Sequence, residues 1–527
     1  MAIFYWQNLC YNMSDFDNME ESMSNSVKLK DLYVGIPDGA TEAQNEKFQE
    51  LFFDPNNKYE ELMKNDEKFL IIGSKGTGKT YLANYVLKKS PKTQTAELVD
   101  SSDFRIHKLS NVRNIKDLNE DIVYALCKWF LLNELSHTYL ERHKKMKYIP
   151  LTGPYKIRKF VERYENLNIF KEVKKVEINS KEKNVSNEKD ISNNCSKSAV
   201  TNRFRNGFSL SNGITVEFER KDFFELIKAY ENKLFNSFSR CDDILLILDD
   251  LDEIEDGEDG LGTVLVKLIN IAKEYNSKLK KEKKKVKLIL LLRSDILDGL
   301  QIRNANLSKI KTSCSVELYW LSNSMQEQYN HPLMSMVLHK IKTACPQFVG
   351  WSNKKLFSEL FPENIDNKRP LDYLLDHGFG RPRDIATYLN HAKNEFPNES
   401  FFSALVLKGT RKFYSSDFYD EILNQASFYK KPEYVRQCMN LLSAVKRSSF
   451  NYSIIKEIYE KDIDRYDAID DVDNAISFLY ETGAIGNVWK FNGKVHTSWS
   501  YKKDAMKEVD FSKKFTIHYG LRKKFSL

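Results

Sequence analysis

The segment "GSKGTGKT", from Gly73 to Thr80, constrains the fold of this chain more than any other feature. It fits the pattern G-x-x-x-x-G-K-[ST], which a chain of this length would contain by chance in only about a few per cent of cases. The run "KFLII" before it predicts a buried strand, and "KTYLANYVLKK" after it predicts an amphipathic helix. The loop therefore falls at a strand-to-helix turn, which favours an α/β fold.

The chemistry of this loop suits a phosphate cradle. Glycines lack Cβ and permit positive φ, so backbone N–H groups can surround a phosphate, and the start of the following helix adds positive potential. Lys79 is predicted to reach the β- and γ-phosphates and the Thr80 hydroxyl to bind Mg²⁺. A flexible surface loop with one lysine is the alternative. The predicted nucleotide contacts are Gly73, Ser74, Lys75, Gly76, Thr77, Gly78, Lys79, Thr80 and Tyr81.

A carboxylate for the metal is predicted in "ILLILDDLDE", where a short apolar run ends in acidic residues. Asp249 is placed to hold Mg²⁺, and Asp250 to orient or deprotonate the attacking water. Apolar runs that end in acids often mark only the end of a strand, so the prediction rests on the glycine-rich loop as well. The spacing of Asp252 and Glu253 predicts no specific role for them.

A second apolar run ends in "LLLRSDIL". Arg293 stands at the end of the strand predicted to neighbour the metal-binding strand, where a basic group can contact the γ-phosphate or the attacking water. The alternative is a structural ion pair between Arg293 and Asp295 or Asp298 at a helix start.

The segment "FGRPRDIATYLN", from Phe379 to Asn390, places Arg381 and Arg383 on either side of Pro382, just before a helical pattern. A salt-bridged surface turn is one interpretation. The other is that one arginine contacts the bound nucleotide.

Taken in order, these motifs resemble the AAA+ and STAND-type ATPases within the ASCE branch of P-loop NTPases. "DDLD" is similar to STAND and KAP-type proteins, and the chain most resembles bacterial P-loop ATPases with an RPRDI lid motif, whose relatives occur in phage-defence systems. The resemblance implies ATP and Mg²⁺ as cofactors, Arg383 as a sensor-2 arginine and Pro382 near the adenine. Arg381 stays open as the nucleotide contact instead. Only Arg303 is conceivable as an arginine finger, and it is a weak match.

The implied fold is a three-layer parallel-sheet P-loop core, followed by a helical lid and a small winged-helix-like C-terminal domain. Helices are predicted at 222–238 and 261–279, and strands at 244–248 and 288–292. "FSLSNGITVEF" predicts a hairpin around Asn212-Gly213. The predicted domains are a loose leader (1–30), the core (31–321, with a mobile insertion at about 174–206), the lid (322–429) and the C-terminal domain (430–527).

Composition bounds the cellular setting. Hydrophobic residues make up 41% and charged residues 29%, and no run of 18 apolar residues occurs, so we expect a cytoplasmic protein without a membrane partner. The seven cysteines are scattered with no C-x-x-C pair, which argues against zinc or disulfides. The formal charge of +7 permits nucleic-acid binding without arguing for it.

Three functions are compatible with these motifs. The first is an ATP-hydrolysing conformational switch in bacterial defence or signalling, which passes its change to the C-terminal domain or a partner effector protein and forms a homo-oligomer. The second is an origin-recognition or loader-like ATPase that binds DNA through the C-terminal domain. The third is a scaffold that binds ATP without hydrolysing it.

Overall fold

The computed structural model describes residues 27–100, 120–164, 220–251, 260–303, 305–321, 327–427, 430–503 and 505–527. The predicted insertion, the predicted hairpin at Asn212-Gly213 and most of the predicted leader lie outside these residues, as do Asp252 and Glu253. Among the helices that are described, none combines the length and the apolar character needed to cross a bilayer.

The described strands are β1 (Leu70–Ile72), β2 (Thr95–Val99), β3 (Asp243–Leu248), β4 (Lys285–Leu292), β5 (Ser315–Glu317), β6 (Ser449–Phe450), β7 (Ile485–Phe491), β8 (Lys494–Ser498) and β9 (Lys514–Ile517). The described α-helices are α1 (Gly39–Glu42), α2 (Phe48–Leu51), α3 (Lys58–Lys64), α4 (Lys79–Lys89), α5 (Glu120–Arg142), α6 (Gly153–Tyr164), α7 (Arg220–Ser237), α8 (Gly260–Lys281), α9 (Ser294–Arg303), α10 (Ala305–Cys314), α11 (Pro332–Ala344), α12 (Asn353–Leu360), α13 (Pro370–His377), α14 (Pro382–Glu395), α15 (Ala404–Ala426), α16 (Pro432–Ala444), α17 (Tyr452–Lys461), α18 (Val472–Glu481) and α19 (Tyr519–Arg522).

The chain divides into two compact units that do not follow chain order. The sheet unit comprises Lys58–Gly73 and Val86–Glu317. The helical unit comprises the chain up to Asn57, the segment Ser74–Tyr85 and Leu318–Leu527. The predicted domain boundaries are not tested by this division and stay predictions.

The sheet unit is built on five parallel strands in the order β2-β3-β4-β1-β5. All three residues of β1 are buried, as are the last five residues of both β3 and β4. Strands whose two faces are both covered are expected to be continuous apolar runs, and "ILLIL" and "LILLL" are such runs. The predicted α/β class is therefore confirmed at the level of a parallel sheet with many helices.

The basic run at residues 278–287, which leads into β4, has lysines that are paired with acidic side chains and carbonyl groups of the sheet unit. Lys278 pairs with Glu231 at 2.8 Å, and Lys280 pairs with Glu67 at 2.8 Å. Lys284 donates to the carbonyl of Phe238, and Lys287 donates to that of Leu62 at 2.7 Å. Burial lowers the pKa of Lys287 to about 8.

The helical unit has one continuous hydrophobic core that runs from Leu29 to Phe525. Apolar side chains of α11 to α16 and of the C-terminal strands all contribute to it, among them Leu389, Leu442 and Phe515. The segments predicted as a lid and as a C-terminal domain therefore share a core, because neither buries its apolar face alone.

The C-terminal part of the helical unit has an antiparallel sheet in the order β6-β9-β7-β8, preceded by helices α16, α17 and α18. β7 and β8 form a hairpin whose two central turn residues, Asn492 and Gly493, have φ of 50° and 74°. Positive φ at both positions is the signature of a type I′ turn, which Asn-Gly favours. The winged-helix assignment stays a prediction.

Candidate functional site

Three predicted site residues follow neighbouring strands of the sheet unit. Gly73 follows β1, Asp249 follows β3 and Arg293 follows β4, which lies between the other two strands. The pairing of β1 with β4 continues past the strand ends, since Gly73 N donates to Leu292 O at 3.4 Å and Ser294 N donates to Gly73 O at 3.3 Å. The carboxyl edge of a parallel sheet is where such folds place their ligand sites.

The two acidic residues after β3 differ in their surroundings. Asp249 is 3% exposed, its N–H donates to Val99 O at 3.0 Å, and its Oδ1 accepts from the N–H of Asp250 at 2.8 Å. Asp250 is half-buried and has φ of +50°, a left-handed conformation that Asp adopts more readily than most residues. Strained backbone of this kind clusters at functional sites.

Arg293 is 4% exposed and makes a bidentate pair with Asp295, from Nε to Oδ1 at 3.2 Å and from Nη2 to Oδ2 at 2.5 Å. This is the structural ion pair that the sequence left open as the alternative to a sensor role. Asp298 pairs instead with Lys311. A sensor role for Arg293 therefore requires the pair with Asp295 to be shared or broken, and it stays a prediction.

The glycine-rich loop requires its glycines. Gly76 and Gly78 have φ of +83° and +95°, and a Cβ at Gly76 would lie 3.0 Å from the Cβ of Arg383. The loop closes on the Ser74 carbonyl, which accepts from Thr77 Oγ1 at 2.8 Å and from Lys79 Nζ at 3.4 Å. Helix α4 then begins at Lys79, as predicted.

Two contacts that hold this loop were not found from the sequence. Trp320 Nε1 donates to Thr77 O at 2.9 Å, and Tyr81, which follows Thr80, donates from its hydroxyl to Leu51 O at 3.1 Å. The Tyr81 ring stacks on Phe52 with centroids 5.3 Å apart. No local pattern marks Trp320, because its partner lies 243 residues earlier in the chain.

Arg381 is a buried structural group. It is 4% exposed, its Nη1 donates to Lys75 O at 2.7 Å, and its Nη2 donates to Asp384 Oδ1 at 2.8 Å. Burial acts to lower its pKa, but the carboxylate of Asp384 outweighs this and the pKa is raised, so the guanidinium stays charged. Arg381 thus fastens the start of α14 to the backbone of the glycine-rich loop.

Arg383 lies against the same loop but is less enclosed. Its N–H approaches Gly76 O at 3.4 Å, and its side chain is 29% exposed. Its Nη1 lies 3.5 Å from Glu421 Oε1, and Arg381 Nη1 lies 3.6 Å from the same oxygen. Glu421, in α15, is a second residue, after Trp320, that the sequence did not reveal.

Gly380 and Pro382 set the backbone conformation around Arg381 and Arg383. Gly380 has φ of +72°, and a Cβ there would lie 2.4 Å from Leu321 Cδ2, so only glycine fits. Pro382 is the first residue of α14, where its fixed φ suits a helix start. Arg303, the weak finger candidate, is the last residue of α9.

Phe379 links this region to α15 and to residues that follow β8 and β9 in the helical unit. Its ring lies 4.8 Å from that of Phe418, 4.9 Å from Tyr501 and 5.4 Å from His518, measured between centroids. His518 is fully buried and accepts from Gly520 N at 3.1 Å. The segment from Phe379 to Arg383 therefore contacts the glycine-rich loop through its two arginines and an aromatic cluster through Phe379.

The residues predicted to bind Mg²⁺ carry oxygen donors. Mg²⁺ takes oxygen ligands, commonly one or two protein oxygens with phosphate and water completing the shell, and the side chains of Thr80 and Asp249 end in a hydroxyl and a carboxylate. Gly76 and Gly78 adopt positive φ, a backbone conformation that glycine takes without steric cost. In the part of the chain that the structure describes, no group of three or more His, Cys, Asp or Glu side chains is arranged for a metal ion.

Comparison with known proteins bears on one segment. Residues 331–423 match the family described as the FunZ-associated C-terminal helical domain. The match begins one residue before α11 and ends within α15, so it includes Arg381, Arg383 and Glu421 but less than a fifth of the chain. No curated protein matches the chain.

Proposed function

We propose that this protein is an ATP-binding and ATP-hydrolysing P-loop ATPase that acts as a nucleotide-driven conformational switch. The resemblance of its motifs to those of bacterial defence ATPases favours a role as the ATPase component of an antiviral or signalling system. In such a role a partner effector protein supplies the output, and a homo-oligomer is the expected assembly.

The observation that carries this proposal is the strand order of the sheet unit. The strand before the glycine-rich loop, β1, and the strand before the acidic pair, β3, are separated by one further strand, β4. The resemblance to the additional-strand branch of P-loop NTPases implies such an extra strand between these two. The strand order supports the proposal because it is a property of the fold and is independent of the glycine-rich motif from which an ATPase was first inferred.

The roles of the residues follow from their chemistry. Lys79 would bind the β- and γ-phosphates, with the backbone N–H groups of Gly76 to Thr80 around them. Thr80 and Asp249 would hold Mg²⁺, which when bound neutralises charge on the phosphates. Asp250 would accept a proton from the attacking water, while Arg293 and Arg383 would stabilise negative charge on the transferred phosphoryl group.

A route for the switch is available within the helical unit. The start of α14 contacts the loop through Arg381, and Phe379, two residues earlier, packs on Tyr501 and His518. A shift of the loop would therefore move the segment from Phe379 to Arg381, which also contacts residues that follow β8 and β9. We propose that these contacts couple the loop to the C-terminal segment. A measured change in the C-terminal segment when nucleotide binds at the loop would demonstrate the coupling.

The decisive experiment for hydrolysis compares Asp250→Asn with Asp243→Asn. Each substitution removes one negative charge. Asp243 is the first residue of β3 and Asp250 follows its other end, so Asp243→Asn is a matched control. Asp250→Asn should keep ATP affinity and lose about 10²- to 10⁴-fold in turnover, as expected for a proton-accepting group. Phosphate release by the purified protein measures it.

Two outcomes would count against this account. Turnover by Asp250→Asn at the wild-type rate would remove Asp250 from the reaction. ATP binding without any turnover by the wild-type chain would favour the non-hydrolysing scaffold.

A further inference from the structure

The tip of the β7–β8 hairpin is exposed to solvent. Every residue from Lys490 to Thr497 is exposed, including two apolar ones, Phe491 at 62% and Val495 at 63%. Each of these two apolar residues is paired across the hairpin with an exposed lysine, so the tip combines apolar and basic side chains.

The two faces of the hairpin tip have the same composition. Residues directly opposite in an antiparallel pair lie on the same face. Phe491 pairs with Lys494 on one face, and Lys490 pairs with Val495 on the other. Each face thus presents one lysine beside one apolar side chain.

The charge of this region is sharply divided. Residues 485–527 contain ten basic and three acidic residues, and residues 462–484 contain one basic and seven acidic residues. Helix α18 lies in the acidic part, and no lysine or arginine occurs between Tyr466 and Trp489. A helix without a cation, preceded by exposed aspartates, is repelled by phosphates, so α18 cannot serve as a recognition helix.

We propose that the β7–β8 hairpin is a binding element for double-stranded DNA, which it enters as a two-stranded ribbon, and that α18 faces away from the DNA. Lys490 and Lys494 contact phosphates on the two walls of a groove, since the major groove admits a β-ribbon of this width. Phe491 and Val495 contact sugars and base edges without a hydrogen-bond pattern. The binding is therefore salt-dependent and tolerant of sequence.

This inference is independent of nucleotide hydrolysis, and its test uses the full chain with labelled duplex DNA over a range of salt concentrations. Lys490→Ala/Lys494→Ala should weaken binding roughly 10- to 100-fold and reduce the slope of log K against log salt by about 1.8, because two phosphate contacts are lost. Phe491→Ala should weaken binding with the slope unchanged.

The matched control is Lys144→Ala/Lys145→Ala, which removes the same charge at an exposed helix end in the sheet unit. The control should bind like the wild type, and thermal unfolding should be unchanged in all variants, because the altered residues are exposed. Equal binding by both double variants would overturn the proposal, as would tighter binding to a single strand of the same length. Failure of the wild type to retain duplex DNA at low salt would also overturn it and would favour an acidic protein as the partner.

Discussion

The two arginines of the RPRDI motif differ in their surroundings. The sequence alone could not say which of them forms a structural ion pair and which is the candidate nucleotide contact. Arg381 is buried, and its guanidinium donates to Asp384 and to Lys75 O, whereas the side chain of Arg383 is 29% exposed and its Nη1 lies 3.5 Å from Glu421 Oε1. A group that must bind a phosphate needs donors within reach of solvent. Arg383 is therefore the better candidate for the nucleotide contact, and Arg381 is a structural residue.

This difference predicts that one alanine substitution reduces stability and the other reduces ATP affinity. Arg381→Ala leaves the buried carboxylate of Asp384 without its counter-charge, with only the backbone N–H groups of Phe379 and residue 381 as donors, which should reduce the free energy of unfolding by about 3–5 kcal/mol. Arg383→Ala should leave thermal stability nearly unchanged but weaken ATP binding roughly 10- to 100-fold, the range expected for a hydrogen bond to a charged group. Thermal unfolding and nucleotide titration measure the two effects.

Arg383→Lys is the control for the second effect, since it keeps the charge but loses the planar fork, and it should fall between the wild type and Arg383→Ala. A stable Arg381→Ala that has lost nucleotide affinity would reverse the assignment.

At the scale of elements, a buried ion pair joins α1 to α11 in the helical unit. Lys340 Nζ lies 2.6 Å from both carboxylate oxygens of Glu42, and both side chains are buried. Tyr33 also donates to Glu42 Oε1 at 3.0 Å, and the Lys340 ammonium lies 4.8 Å from the centre of the Tyr81 ring. Burial lowers the pKa of Lys340, and the charge of Glu42 opposes that effect.

Breaking this pair should cost more than replacing it. Lys340→Met leaves Glu42 buried without its counter-charge and should reduce the free energy of unfolding by about 3–5 kcal/mol. The double variant Lys340→Met/Glu42→Gln removes both charges and should recover part of that loss. Chemical denaturation of the single and double variants measures the coupling, and a strictly additive result would show that the pair contributes no interaction energy.

Elements with a local signal were predictable. The β3 and β4 runs are continuous and apolar because both faces of the sheet are covered, and α4 spans Lys79 to Lys89 as predicted. Asp249 and Arg293 follow their strands as expected, although the Arg293–Asp295 pair was only the alternative interpretation. Trp320, Glu421 and the Lys340–Glu42 pair depend on residues far apart in sequence, which no window of local periodicity can connect.

At the scale of the molecule, the helical unit binds distant segments into one core. The segment Ser74–Tyr85, the segment matched by the FunZ-associated family and the C-terminal strands all belong to the helical unit, and the last two contribute to its core. A change at the loop is therefore expected to alter the stability of the C-terminal segment. The proposed DNA-binding hairpin extends from that segment, so a nucleotide effect on DNA affinity would follow from the same connection.

The central claim is that the glycine-rich loop binds ATP, and an affinity measurement for Mg²⁺–ATP tests it most directly. The comparison is between the wild type, Lys79→Ala and the control Lys89→Ala, because Lys79 and Lys89 begin and end the same helix. We predict that the wild type and Lys89→Ala bind ATP with the same affinity and that Lys79→Ala binds it at least roughly tenfold more weakly, since a charged contact is lost. Equal affinity of Lys79→Ala and the wild type, or no binding by the wild type, would contradict the account.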